Sequence, residues 1–168
     1  MKLPDTRTCF LLGFLACAAM LLSALYFQLR LGLEPCPLCI SQRIVVFALT
    51  LAFLTAWLHN PAASGTRIYA VITCLIALTG ASISARHVWL QHLPAEEVPA
   101  CGPGLEYMFN YFPLSDTLRL MLTGTGECAK VDWTLFGISM PGWVLVCFLG
   151  LALWSLLPLR GLQRPASS

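Results

Sequence analysis

Two cysteines, Cys36 and Cys39, are separated by two residues in the segment Pro-Cys-Pro-Leu-Cys-Ile-Ser at positions 35–41. A Cys-x-x-Cys pair can close a small disulfide ring, open to a dithiol, or supply half of a metal site. A purely structural bridge in so small a ring would restrain little of the unfolded chain and would add little stability. The spacing therefore favours a redox role.

Arg43 follows Cys39 at i+4, so the two side chains share a face of any helix that begins near them. Its guanidinium can stabilise a thiolate or donate hydrogen bonds to an oxygen of a bound ligand. An arginine inside an apolar run is costly, and such residues are functional candidates. The alternative is that Arg43 extends to the membrane interface and only anchors the helix.

Two further cysteines, Cys101 and Cys128, lie in the longest connecting segment. An even number of cysteines in loops suggests disulfides, which persist in oxidising compartments. The four loop cysteines allow three pairings, and a bridge between Cys101 and Cys128 could be merely structural. The other four lie in apolar runs, where a free cysteine behaves as a small hydrophobic residue: Cys9, Cys17, Cys74 and Cys147.

Zinc is the chief alternative use of the loop cysteines. Structural zinc sites pair two short knuckles, whereas Cys101 and Cys128 lie far apart in sequence. We therefore predict no bound metal.

Haem is disfavoured because no histidine directly follows Cys39, as covalent attachment would require. His87, near the end of the third apolar run, is either an interfacial residue or part of a polar site.

The composition is that of an integral membrane protein. The chain of 168 residues is 58% hydrophobic and 11% charged, against about 45–50% and about 25% in typical soluble domains. Its apolar residues fall into blocks long enough to cross a lipid bilayer. The net charge of +2 provides no footprint for nucleic acid and no polybasic tail.

Four apolar runs predict an all-α membrane protein, a four-transmembrane-helix bundle in a single domain over residues 1–168. The predicted transmembrane helices are about 9–28, 40–58, 68–85 and 142–159, the cysteine-bearing loops about 29–39 and 86–141, and the other segments 1–8, 59–67 and 160–168. A cleaved signal peptide is the alternative for the first run. That run exceeds the usual apolar core, and no good cleavage site follows it.

The orientation follows from charge and from redox chemistry. Lysine and arginine divide evenly between the two ends of the bundle, but they are denser on the termini and the 59–67 turn. The positive-inside rule therefore favours cytoplasmic termini. Loop disulfides belong outside the cytosol, so the two arguments agree.

Prolines define the start of the second helix. Pro35 and Pro37 each disfavour helix at the preceding residue, so the helix is predicted to begin at Leu38 or Cys39. The partial positive charge of the helix N-terminus would then favour the reactive thiolate of Cys39. The third run is rich in small residues, which let neighbouring helices approach closely.

The long loop contains a helical pattern of its own. Leu114, Leu118, Met121 and Leu122 recur at helical spacing, and Gly124 follows as a stop signal. The pattern predicts a short amphipathic helix. This helix would lie in the membrane interface or pack on the outer end of the bundle.

The chain resembles the disulfide bond formation protein B family (DsbB), the membrane quinone reductases of bacterial oxidative folding. The resemblance spans nearly the whole chain. It rests on a combination of motifs: Glu-Pro-Cys-Pro-Leu-Cys-Ile at 34–40, Arg43, Cys101, Cys128, Trp-Thr-Leu-Phe-Gly at 133–137 and Met-Pro-Gly-Trp at 140–143.

The resemblance implies a thiol:quinone oxidoreductase of the bacterial inner membrane, multi-pass, with both termini cytoplasmic. It implies two redox-active disulfides, Cys36–Cys39 and Cys101–Cys128, that carry electrons from a periplasmic thioredoxin-fold oxidase of the DsbA type. By the match, Cys101 would form the mixed disulfide with that partner. Electrons would then pass to Cys36–Cys39.

The same resemblance implies the electron acceptor. Cys39 would meet a membrane quinone, ubiquinone or menaquinone, and Arg43 and His87 would help to bind it. The chain departs from the pattern at Gln42, where some relatives carry an acid. That difference would change the electric field at Arg43 and at the quinone.

Two other classes of function stay open from the sequence. One is a non-enzymatic membrane scaffold or chaperone whose disulfides are structural. The other is a quinone-linked reductase of the vitamin K epoxide reductase type. There the Cys-x-x-Cys would be expected late in the bundle, whereas here it opens the second helix.

Overall fold

The computed structural model describes residues 5–94, 96–100, 107, 111 and 113–161. Four of its helices are long and apolar enough to cross a membrane: α1 (Thr6–Leu31), α2 (Pro37–His59), α3 (Ala63–Gln91) and the stretch Met140–Leu159. They confirm the predicted class, an all-α membrane protein with a four-helix bundle. Cys101 lies outside the described residues.

Helix α2 begins at Pro37, so the predicted start at Leu38 or Cys39 was wrong by one or two residues. A proline suits the first helical position, because its fixed φ matches the helix and its missing N–H would have no partner there. Cys36 is the N-cap, with an extended backbone (φ −67°, ψ 166°). The capping residue of α2 is therefore itself one of the paired cysteines.

The core of the bundle is built from aromatic rings set against glycines. Phe10, Phe53 and Phe148 are all fully buried. A Cβ atom added at Gly13 would lie 2.8 Å from the ring of Phe53, and one added at Gly80 would lie 2.3 Å from the ring of Phe148. The expectation that small residues of the third run allow close helix packing is confirmed at Gly80.

A second apolar cluster lies at the cysteine-bearing end of the bundle. Leu38 on α2, Leu90 on α3 and Cys128 have no exposed surface and pack together. Because this cluster joins the start of α2 to the end of α3, it holds the loop that carries Cys128 against both helices.

The predicted loop helix is present as α4 (Leu114–Thr123). Its buried residues are Thr117 and Met121, and Ser41 of α2 donates a hydrogen bond from its hydroxyl to the Met121 carbonyl at 2.9 Å. The helix therefore packs on the end of the bundle, which is one of the two predicted placements. A row of leucines stays exposed on its other side: Leu114, Leu118 and Leu122.

A short antiparallel hairpin precedes the last helix. Strands β1 (Thr134–Leu135) and β2 (Ile138–Ser139) pair through a two-residue turn in which Phe136 and Gly137 both have positive φ, 53° and 78°. Two positive φ values are typical of the turn that matches strand twist. The chain then enters α5 (Met140–Ser155) and ends its described part in α6 (Leu157–Gly161).

Candidate redox site

The Cys-x-x-Cys pair lies where α2 meets the connection from α1. Cys36 and Cys39 are free thiols, with their sulfur atoms 3.1 Å apart. The backbone N–H of Cys39 donates to the Cys36 sulfur at 3.4 Å, so this sulfur satisfies one of the unpaired N–H groups at the helix start. Both side chains are partly exposed, which leaves them accessible to a reaction partner.

Cys128 reaches this pair because of Gly124. That glycine has a φ of +81°, and a Cβ there would lie 2.6 Å from Leu90 and 2.7 Å from Leu38. Only glycine fits both the conformation and the space. The chain then turns through a short 3₁₀ helix, Gly126–Ala129, which buries the Cys128 side chain completely.

The side chains of three predicted site residues meet at this point. The sulfurs of Cys36 and Cys128 and a ring nitrogen of His87 all lie within 4.8 Å of one another. The Cys36 sulfur is 3.7 Å from Nε2 of His87. The fold therefore brings together α2, α3 and the long loop around one thiol.

The pKa values of Cys36 and Cys128 shift in opposite directions. The hydrogen bond that Cys36 donates lowers the pKa of Cys128, and backbone N–H groups of Leu38 and Thr125 lower it further against the opposing effect of burial. The same bond to Cys128, together with the neighbouring Cys39 and burial, raises the pKa of the Cys36 thiol. Of these two thiols, Cys128 is therefore favoured as the thiolate and Cys36 as the protonated partner.

His87 is oriented by Gln42, which was noted from the sequence only as a departure from a family pattern. Gln42 is buried, and its side-chain amide lies 3.3 Å from Nδ1 of His87. When Gln42 donates to Nδ1, the ring proton sits on Nε2 and faces the Cys36 sulfur. The signal in the sequence that could have identified Gln42 as a site residue is its position as a polar residue within an apolar run.

Arg43 is held by the first helix. Its guanidinium donates to the side-chain oxygen of Gln28 and to the carbonyl oxygen of Ala24, the latter at 3.1 Å. It therefore ties α2 to α1. Gln28 was not among the site residues predicted from the sequence.

A cleft of about 740 Å³ opens beside these groups. The predicted site residues along it are Cys36, Cys39, Arg43 and His87. Phe27 and Trp133 form an aromatic wall, with ring centroids 5.2 Å apart. The volume is in the range of small-molecule sites, which typically combine apolar walls with a few polar groups.

Of the six residues predicted for the site, five thus lie around one cleft or cluster: Cys36, Cys39, Arg43, His87 and Cys128. The sixth, Cys101, belongs to the part of the chain that the structure does not describe. The arrangement can exchange disulfides between Cys128 and Cys36 and can present Cys39 to a molecule in the cleft.

Comparison with known proteins gives a consistent result. The family model of the disulfide bond formation protein DsbB matches residues 6–158. A disulfide bond formation protein B of Methylococcus capsulatus is 68% identical over 164 residues, which is 98% of this chain and 100% of that protein. Proteins of the same name from Hahella chejuensis and Nitrosococcus oceani are each 53% identical, over 89% and 90% of this chain and 91% and 90% of their own.

Proposed function

This chain belongs to the DsbB family of disulfide bond formation proteins, and we propose that it is a protein-dithiol:quinone oxidoreductase. It would reoxidise a periplasmic thioredoxin-fold oxidase of the DsbA type and pass the electrons to a membrane quinone. The observation that carries the proposal is the approach of Cys128 to Cys36, since it links a loop thiol to the Cys-x-x-Cys pair.

In this proposal the partner's dithiol is oxidised by the Cys101–Cys128 disulfide. A partner thiolate attacks Cys101, Cys128 leaves as a thiolate, and the second partner thiol displaces Cys101 and closes the partner's own disulfide. Two electrons now reside on the loop pair as thiols. Exchange of this kind needs an accessible sulfur and a good leaving thiolate, and the backbone N–H groups of Leu38 and Thr125, which lower the pKa of Cys128, support the second.

The next exchange is internal. The Cys128 thiolate attacks the Cys36 sulfur of the Cys36–Cys39 disulfide, and Cys39 leaves. Cys101 then attacks Cys128, which restores the loop disulfide and releases Cys36 as a thiol. The N–H donors of Leu38 and Thr125 act on Cys128 whatever the redox state of Cys36, so they support its role as the attacking thiolate.

The cleft beside Cys39 fits a quinone. Phe27 and Trp133 offer flat apolar surface for a ring, while Arg43 and His87 are hydrogen-bond donors for its carbonyl oxygens. A bound quinone would accept the two electrons and two protons that the Cys36–Cys39 dithiol gives up on forming its disulfide. To reach a ligand, Arg43 exchanges one of its hydrogen bonds to α1.

The proposal includes an orientation. The loops that carry the four cysteines would face the periplasm of a bacterial inner membrane, and both termini would be cytoplasmic. The denser positive charge on the termini and the 59–67 turn supports this orientation.

The proposal is tested by measuring catalytic turnover of the purified protein in detergent. Reduced thioredoxin-fold oxidase and ubiquinone are added, and quinone reduction is followed together with loss of partner thiols. We expect one quinone reduced for each partner disulfide formed, and parallel assays with menaquinone identify the preferred acceptor. Failure to reduce either quinone, with both cysteine pairs resistant to mild reductant, would instead support a structural scaffold.

A further inference from the structure

The cluster of Cys36, His87 and Cys128 has the composition of a metal site. We propose that the reduced protein binds one Zn²⁺ ion through the two sulfurs and the His87 ring nitrogen. From the sequence, zinc is disfavoured because Cys101 and Cys128 form no second short knuckle. The folded chain offers a different ligand set, in which the third member is a histidine of α3.

The distances suit a tetrahedral ion. Bonds of about 2.3 Å to sulfur and about 2.0–2.1 Å to nitrogen place two sulfurs about 3.8 Å apart, and a sulfur and a nitrogen about 3.6 Å apart. The Cys36 sulfur already lies 3.7 Å from Nε2 of His87, and all three ligand atoms lie within 4.8 Å. Binding therefore needs only a small contraction of the cluster.

The charges also balance. Zn²⁺ is held by both sulfurs as thiolates, so binding releases any proton they still carry, and the ion with its two thiolates is neutral overall. Neutrality matters because Cys128 and His87 are buried, where an unpaired charge would be costly. Cys39, whose sulfur is 3.1 Å from that of Cys36, or a water can take the fourth position.

Gln42 completes the site as a second-layer residue. A flip of its amide presents the oxygen to Nδ1–H of His87, 3.3 Å away, and leaves the Nε2 lone pair facing the sulfurs. Ligating histidines usually donate their other ring N–H in this way, and loss of the acceptor typically weakens metal binding about 10- to 100-fold.

The site exists in only one redox state. A disulfide at either cysteine removes a thiolate ligand, so zinc binds the reduced protein and opposes its reoxidation. The resulting inhibition of turnover rests on the proposed function, whereas zinc binding itself does not.

The experiment uses the full chain in detergent, reduced and desalted, then equilibrated with buffered Zn²⁺ alone. We expect one zinc per chain by elemental analysis, and almost none after the protein has been oxidised. Cys36→Ser and Cys128→Ser should each lose the ion, and Gln42→Leu should weaken binding about 10- to 100-fold. Cys74→Ser and Cys147→Ser, which alter thiols outside the cluster, are the matched controls and should bind normally.

Two further variants test the ligand set. Cys39→Ser and Cys101→Ser should still bind one zinc, since neither supplies a required ligand. Zinc retained by Cys128→Ser, zinc lost in Cys101→Ser, or equal binding by the oxidised protein would overturn the proposal. These measurements contain no quinone and no partner, so they do not depend on turnover. A protein that binds zinc but does not reduce quinone would contradict only the proposed function. A protein that reduces quinone but binds no zinc would contradict only the zinc site.

Discussion

The sulfur of Cys36 lies within 4.8 Å of the sulfur of Cys128, although the two residues belong to different connecting segments of the chain. A disulfide requires the Cβ atoms to come within about 3.5–4.5 Å, so a small movement would join this pair. The relay proposed here depends on that approach. It gives the electrons a path from the long loop to the start of α2.

The first prediction concerns a trapped bridge. In a Cys39→Ser, Cys101→Ser double variant, Cys36 and Cys128 lose the partners proposed for them and should form a disulfide with each other on mild oxidation. Peptide mass spectrometry should find this bridge in most of the protein. The matched Cys36→Ser, Cys101→Ser variant leaves Cys39 with Cys128 and should cross-link much less. Equal yields would contradict the assignment of Cys36 as the exchanging sulfur.

A second prediction tests how Cys128 is positioned. Alanine at Gly124 would clash with Leu38 and Leu90 and would also strain a positive φ. The matched control is Gly32→Ala, because Gly32 has a φ of +63° but no atom within 4 Å of an added Cβ. Strain alone costs about 1–2 kcal/mol, so Gly32→Ala should be destabilised by about that amount in thermal unfolding and Gly124→Ala, which adds the clash, by more. Only Gly124→Ala should also slow disulfide exchange.

A third prediction is a pH dependence. In the reduced Cys39→Ser, Cys101→Ser protein, thiolate absorbance should give Cys128 a pKa below the ordinary thiol value of about 8.5. The hydrogen bond from Cys36 favours the charged form, so adding Cys36→Ala should raise the pKa of Cys128 and reduce its thiolate fraction at neutral pH. An unchanged midpoint would show that the Cys36 hydrogen bond does not control this thiol.

The Gln42 side chain gives a fourth prediction. Gln42→Leu leaves Nδ1 of His87 buried without its partner, which should cost about 1–3 kcal/mol in stability. Gln42→Glu offers a side-chain oxygen that can accept from Nδ1–H once the ring proton moves to Nδ1, and it should lose less. Thermal unfolding of both variants in detergent measures the difference. Equal stability of the leucine variant and the unmodified protein would mean that the contact contributes nothing.

The sequence was sufficient for the membrane spans, since each apolar run is long and local composition decides whether a helix enters lipid. It also predicted α4, where apolar spacing and Gly124 act within a few residues. It could not place Cys128 beside Cys36. That approach depends on the positive φ of Gly124 and on its contact with side chains of α2 and α3.

For the same reason, the sequence could not predict the hydrogen-bond partners of Arg43 and Gln42. Arg43 donates to Gln28, and Gln42 contacts His87, across helices that meet only in the folded bundle. Spacing along the chain carries no information about such pairs. The start of α2 was missed more narrowly, because Pro37 can both restrict Cys36 and serve as the first helical residue.

The central claim is that Cys39 passes electrons from the cysteine relay to a quinone. The most direct measurement compares Cys39→Ser with Cys74→Ser, a matched change at a thiol of α3 outside the cleft, in quinone reduction driven by a reduced thioredoxin-fold oxidase. Cys39→Ser should lose at least about 1,000-fold in rate, equivalent to about 4 kcal/mol of activation free energy. Cys74→Ser should retain its rate. Undiminished quinone reduction by Cys39→Ser would contradict the account.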